Sequence, residues 1–343
     1  MKPAMKSAMK LRTEFRLALA MVATAAVALV GAVPTHAQAQ DPAKDYPSKN
    51  ITLVVPFPPG GGNDAMGRIS ADRLSAGLGK TVVVENRGAG AGIVGTRSVV
   101  KSAPDGYTLM LGHTGSIGIN PTLYVNAGFD PRKDFTPLGL IAQLSMVLLV
   151  NPSVKAKDVG ELIALAKANP GKFNFASSAL GTGSHMCAEM FRSEAGADLN
   201  VIPYKGTAQL VTDLVGGHVQ ASFAAITPSF GNIKAGNVRA LAVTSPKRSS
   251  MLPDVPTVSE SGLPGFEVML NYGLLAPAGT PKAIVDKINE AMRAAIANED
   301  VQKRIGADGG EAVSSTPAEY GDIVSRDMTR WSALIKKLNL KVE

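Results

Sequence analysis

Cysteine is nearly missing: Cys187 stands alone in 343 residues. No intramolecular disulfide can staple the fold, and the apolar neighbours in HMCAEMF mark the thiol as core packing. Histidine is almost as scarce. Past residue 40 only His113, His185 and His218 occur, with no H-E-x-x-H and no C-x-x-C, which removes the usual zinc patterns. Charged residues make up 18% of the chain and aromatics only 5%. The Lys and Arg are scattered, and a basic stripe with interleaved aromatics, the footprint of a nucleic-acid binder, is absent. Long apolar runs are lacking too, apart from Leu17 to Val33.

That run follows Lys2, Lys6, Lys10, Arg12 and Arg16, and small residues come after it at Thr35-His36-Ala37 and Ala37-Gln38-Ala39. Basic, apolar, then small is the order of a secretory signal peptide, placed here at residues 1–39. The run is short for a membrane span, and no cysteine near the cleavage point offers a lipid anchor. The expected product is an exported, periplasmic protein. Losing five positive charges and one negative takes the net charge from +7 to about +3. What remains is long enough for two ordinary domains.

From Asn50 strand-like and helix-like runs alternate. ITLVVPF leads through glycines into a helix with Gly67, Ala71, Leu74 and Leu78 on one face. TVVVEN, GIVGTRSVVKS and YTLMLG complete a βαβαβ unit, and near-continuous Val, Leu and Ile suit strands buried on both faces of a parallel sheet. The pattern then recurs: AQLSMVLLVNP, a helix capped by Asp158 and stopped at Pro170-Gly171, KFNFASS, SHMCAEMFRSEAG, LNVIPY, GTAQLVTDLVGG, VQASFAA and VRALAVT. After a proline-rich stretch and VMLNYGLLAP come two amphipathic helices without strands. One carries Ile284, Ile288, Met292 and Ile296 behind Pro281, and the other Tyr320, Ile323, Trp331, Leu334 and Leu338. The expectation is an α/β protein of two domains, 46–148 with 271–343 and 149–270, with hinge crossovers near 148–151 and 266–272.

A literal G-x-G-x-x-G at Gly90, Gly92 and Gly95 lacks the acid about 20 residues on that would bind a ribose, so tight packing of helix on strand explains it better. The loop PFPPGGGNDAMGR is no Walker A sequence, because Asn63-Asp64 follows the glycines. It does join a strand end to a helix start, where unpaired N–H groups and the helix dipole favour an anion; Asn63 or Asp64 can cap some of them. A second small-residue turn, Ala179 to His185, has the same setting in the second unit. Two such turns across an interdomain cleft can grip one anionic group. Hydrogen bonds to a charge contribute about 1.5–3 kcal/mol each, so four or five leave about micromolar affinity after binding entropy. Catalytic patterns are poor: Ser184 and His185 are neighbours that do not face each other on a helix, and no G-x-S-x-G elbow occurs.

PFPPGGGNDAMGR, ENRGAGAGIVG, APDGYTLMLG, INPTLY, FDPRKDFTPLGLIA, FASSALGTGSHMCAEMF, VIPYKGTAQLVTDLVGGHV and YGLLAPAGTP, in this order, resemble the Bug-type substrate-binding proteins of tripartite tricarboxylate transporters. The resemblance implies a two-domain periplasmic binding protein, type II-like, with two mostly parallel sheets flanked by helices. It further implies that the protein closes on a small carboxylate, delivers it to membrane permease subunits, acts as a monomer and has neither cofactor nor catalytic activity. Carried over, the carboxylate loops are Phe57 to Asp64, with Phe57, Pro59, Gly61, Asn63 and Asp64, and Ser177 to Ser184, with Ser178, Ala179, Thr182 and Gly183. Further contacts would come from Thr114 and Ser116, from Lys205, Gly206 and Thr207, and from Ala225 and Asn271. Many relatives have Gly at Ala179, an Asp-Asn pair at Ala224-Ala225 and Trp at Asn271; the two alanines should make the distal pocket less polar and suit an aromatic or aliphatic acid. Two other classes stay open: a sensor module presenting ligand to a membrane kinase, and an exported hydrolase using Ser116 or Ser184 with His113 and Asp64.

Overall fold

The computed structural model describes residues 43–307 and 309–342; the leader assigned to residues 1–39 and its cleavage point lie outside them. β1 (Ile51–Val55) is paired in parallel with β2 (Val82–Asn86) and β3 (Thr108–His113). α1 (Gly62–Leu78) connects the first two strands, and α2 (Ile93–Val100) follows β2. A single wide helical turn, Thr114–Ile119, and the short helices α3 (Asn120–Leu123) and α4 (Pro131–Asp134) lead into β4 (Phe135–Val150).

The second parallel set consists of β5 (Phe173–Ser177), β6 (Leu199–Pro203) and β7 (Ala221–Ala225), with β5 central. Around it lie α5 (Val159–Ala168), α6 (Gly183–Ala195), α7 (Thr207–Val215) and α8 (Ile226–Lys234), with β8 (Arg239–Val243) closing the unit. Asp158 caps α5 as expected, accepting from Glu161 N at 2.8 Å. β9 (Met269–Pro277) then returns the chain to the first set.

The two sets share β4. Its residues Phe135 to Ser145 pair antiparallel with β9, and Met146 to Val150 with β7 and β8. The result is one hydrogen-bonded path, β2-β1-β3-β9-β4-β7-β5-β6, in which two long antiparallel strands join parallel halves. The unbroken apolar run of β4 has its reason here. Met146, Leu148 and Val150 enter a core with Phe175, Phe191, Phe223 and Phe266, while Val147 and Leu149 enter another with Leu210 and Leu214. Alternate residues point to opposite faces, and both faces are covered.

The C-terminal part departs from expectation. Between α9 (Lys282–Ile296) and α11 (Pro317–Lys337) lie a further helix, α10 (Glu299–Ala307), and a short strand, β10 (Gly310–Ala312), paired to β4. α10 is only nine residues long and buries just Val301 and Ile305, a stripe too short to stand out by periodicity. On α11 the buried face is Tyr320, Val324, Met328, Trp331 and Ile335, with the expected Ile323, Leu334 and Leu338 half-buried on its flank. α11 serves both halves: Tyr320, Val324 and Met328 pack beside Val54 and Met110, whereas Trp331 and Ile335 pack in the phenylalanine core. These buried residues, spaced four, four, three and four apart, form one continuous stripe, rotated partway round the helix from the expected one.

Candidate functional site

A cavity of about 780 Å³ opens where the C-terminal ends of β1, β3, β5 and β7 come together, the usual place for ligands in open α/β sheets. Among the described residues, no Asp, Glu, Lys or Arg lines it. What faces it are helix starts: Gly60 to Asn63 at α1, Ser178 to Ser184 at α6, Thr207 and Ala208 at α7, and Ala225 to Pro228 at α8. The N-caps of α1, α7 and α8, respectively Gly61, Gly206 and Ala225, make no side-chain capping bond. First-turn N–H groups there have no intrahelical acceptor, and the dipoles add positive potential, so the wall is attractive to an anion without a fixed cation.

The two expected jaws are built differently. In the first, α1 begins at Gly62, one residue ahead of the Asn63 and Asp64 expected to cap it. Both sit inside the first turn, and Asp64 instead reaches back to accept from Gly60 N at 3.0 Å, also accepting from Arg68 Nε at 3.0 Å and Asn86 Nδ2 at 2.9 Å. Burial alone would raise the Asp64 pKa, but these bonds outweigh it and hold the carboxyl below its usual range. In the second jaw, Thr182 caps α6, accepting from His185 N, and donates to Ala179 O at 2.7 Å. Ser184 Oγ donates to Phe223 O at 2.6 Å and accepts from Ser178 N.

Phe57, Gly61, Asn63, Ser178, Ala179, Thr182, Gly183, Thr207 and Ala225 lie along the cavity wall. The remaining expected residues lie elsewhere. Pro59 and Lys205 are exposed, Gly206 sits one position before the wall at the α7 cap, and Asp64 braces the first loop from beneath. Thr114 is buried, accepting from Asn271 N at 2.8 Å and donating to Asp327 at 3.3 Å. Asn271 is buried and donates through Nδ2 to Asp327 while accepting from Gln143. Ser116 Oγ bonds to the backbone N and O of His113, not to its ring. With Ser184 committed to Phe223 O and Asp64 to the first jaw, neither candidate serine is paired with an imidazole.

Residues not expected to contact the ligand complete the wall. Leu144 and Met146 of β4, Leu210, Phe223, Ile226 and Leu270 make an apolar floor. His113 ends β3 and Tyr272 lies opposite it in β9, their rings 4.7 Å apart. The position of His113 after Gly112, at a strand's C-terminal end, was the available signal; for Leu144 and Met146 it was spacing by two within a strand. Among the described residues, no three His, Cys, Asp or Glu side chains come together to hold a metal.

Residues 66–340 match the family model described as "Tripartite tricarboxylate transporter family receptor", TctC. The chain is 35% identical over 302 residues to protein BugT of Bordetella pertussis, covering 88% of this chain and 93% of that one. Among solved structures it is similar to Rpa4515 of R. palustris with adipate, with a TM-score of 0.77, 33% identity and coverage of 87% and 99%. It is likewise similar to MatC of Rhodopseudomonas palustris with bound malate, with a TM-score of 0.74, 30% identity and coverage of 84% and 100%.

Proposed function

Since the chain belongs to the TctC family of tripartite tricarboxylate transporter receptors, solute-binding proteins with the two-domain periplasmic fold, we propose that it captures a small carboxylate with an apolar body, an aliphatic or aromatic acid, for delivery to a membrane permease. The observation that carries this reading is the chemistry of the cavity. Uncapped helix starts surround it, no charged side chain among the described residues enters it, and Leu144, Met146, Leu210, Phe223, Ala224 and Ile226 floor it. One carboxylate can be held by backbone donors, while the rest of the ligand gains by leaving water, about 25 cal/mol per Å² of apolar surface. The relatives above hold adipate and malate, both small carboxylates.

Capture and release require the cavity to open. In this reading the halves 46–148 with 271–343 and 149–270 move about β4 and β9, near 148–151 and 266–272, and the monomer acts alone in the periplasm after leader removal. The partner change of β4 at Ser145/Met146 supports a flexing point close by. Calorimetric titration with hexanoate, benzoate, adipate, citrate and aspartate tests the ligand class. Tightest binding of hexanoate, benzoate or adipate is expected; preference for citrate or aspartate would refute the apolar-bodied acid. Mass spectrometry of small molecules released on denaturing freshly purified protein identifies the natural ligand directly.

A further inference from the structure

His113 is the side chain of the cavity whose chemistry the family reading leaves unused. It is more than nine-tenths buried, at 6% exposure, and its ring is fixed on two sides. Phe57 of the first jaw meets it edge-on at 5.4 Å, and Tyr272 lies at 4.7 Å. Its Nδ1 accepts the backbone N–H of Gly115 at 3.0 Å. A neutral imidazole that accepts at Nδ1 carries its proton on Nε2. No described residue accepts from Nε2, and it is not among the polar atoms sealed inside the protein, so it opens to the cavity that the ring lines. Burial pushes the His113 pKa down to about 4, so at periplasmic pH the group is a donor without a charge.

Its position fixes what it donates to. Phe57 belongs to the first jaw, and a Cβ placed on Gly115 would stand 3.3 Å from Gly181 O of the second, so His113 sits where the two jaws approach each other. We propose that His113 is a specificity-determining residue that donates its Nε2–H to the ligand carboxylate held between the jaws. It thereby favours ligands with only acceptors there over those that carry an ammonium beside the carboxylate. This inference rests on the carboxylate reading of the cavity. An N–H left unpaired in an apolar pocket is costly, so a ligand oxygen recovers that cost, whereas an ammonium adds a donor facing a donor.

The test uses the mature protein with hexanoate and 2-aminohexanoate as probes. H113N keeps an oxygen near the position of Nδ1 for the Gly115 N–H but cannot reach to Nε2; H113Q restores a donor at that reach. H113N is expected to weaken hexanoate binding about tenfold and to narrow its advantage over 2-aminohexanoate, with H113Q recovering part of both. In protein labelled with ¹⁵N-histidine, the His113 Nε2–H signal should move downfield on adding hexanoate and stay in place with hexylammonium, which offers no acceptor. Unchanged affinity and selectivity in folded H113N, or a Nε2–H signal indifferent to hexanoate, overturns the inference while leaving the carboxylate reading intact. Absence of hexanoate, benzoate, adipate, citrate and aspartate binding by the unaltered protein refutes that reading itself, and the inference with it.

Discussion

The two jaws occupy equivalent places, each after the first strand of a parallel set, and spend their glycines differently. At Gly60, Gly61 and Gly62 a side chain would meet nothing within 4 Å. At Gly181 it would stand 2.8 Å from Asn120 Oδ1, and at Gly183 only 2.2 Å from a Leu270 methyl. The first jaw is bare on its cavity side; the second is wedged against α3 and β9. Small residues in the first leave room for a ligand to approach the backbone, whereas those in the second let the protein approach itself.

Each jaw also sits beside a buried neutral histidine, and acid tests both at once. His113 touches the first jaw and His185 lies in the first turn of α6; burial lowers the pKa of each to about 4, with Arg192 adding to the effect at His185. A folded pKa below the unfolded value of 6.5 means that the unfolded chain binds the proton first. Stability contributed above pH 6.5 is therefore lost as pH falls from 6.5 toward 4, by about 3 kcal/mol for each group. Glu189 and Asp327, whose carboxyls burial raises, push the other way as they protonate. Denaturant titrations at pH 7 and pH 4.5 should show a loss of several kcal/mol, and H113F should reduce the slope. A stability level across this range would remove both histidines from the account.

Gly183→Val should separate the jaws by stability. The new side chain collides with Leu270, so α6 or β9 must shift, and overpacking of this kind costs about 1–3 kcal/mol. Thermal unfolding should show a lowered Tm in Gly183→Val and an unaltered one in Gly61→Val. Ligand titration should show the reverse emphasis: Gly61→Val crowds the free N–H groups of α1 and is expected to weaken carboxylate binding about tenfold or more. Equal affinity in Gly61→Val and the unaltered protein would take the first jaw out of the site.

The jaws were legible because they depend on local chemistry: a strand, a run of small residues and a helix start within about a dozen positions. Alternation of strands and helices gave the two parallel sets for the same reason. What stayed hidden depends on distant pairing. Nothing in AQLSMVLLVNP says that its strand begins back at Phe135 and exchanges β9 for β7 and β8 at Met146. Without that register Leu144 and Met146 cannot be assigned to the cavity floor. Thr114 and Asn271, expected at the ligand, face Asp327 of α11, a helix more than fifty residues further on. The Ala224-Ala225 pair, by contrast, was singled out by its departure from the Asp-Asn of many relatives, and both residues line the cavity.

The smallest contrast concerns how each loop is braced. The second jaw is closed by its own cap: Thr182 accepts from His185 N and donates to Ala179 O, so Thr182→Ala removes one capping bond and should cost about 1 kcal/mol. The first jaw has no cap at its N-cap residue and relies on Asp64, whose carboxylate ties Gly60 N to Arg68 and Asn86. Asp64→Asn keeps an oxygen for Gly60 N but gives up the charge that the exposed Arg68 meets directly at 3.0 Å, a pair contributing at most about 1 kcal/mol, and turns an NH2 toward Asn86 Nδ2, which loses its acceptor. Asp64→Asn should therefore cost the more, and the two substitutions should differ in salt dependence. Raising the salt concentration should shrink the Asp64→Asn penalty and leave that of Thr182→Ala unchanged, because a neutral hydroxyl cap is not screened. If both penalties respond alike to salt, the first jaw is held by its turn geometry and not by the Asp64 charge.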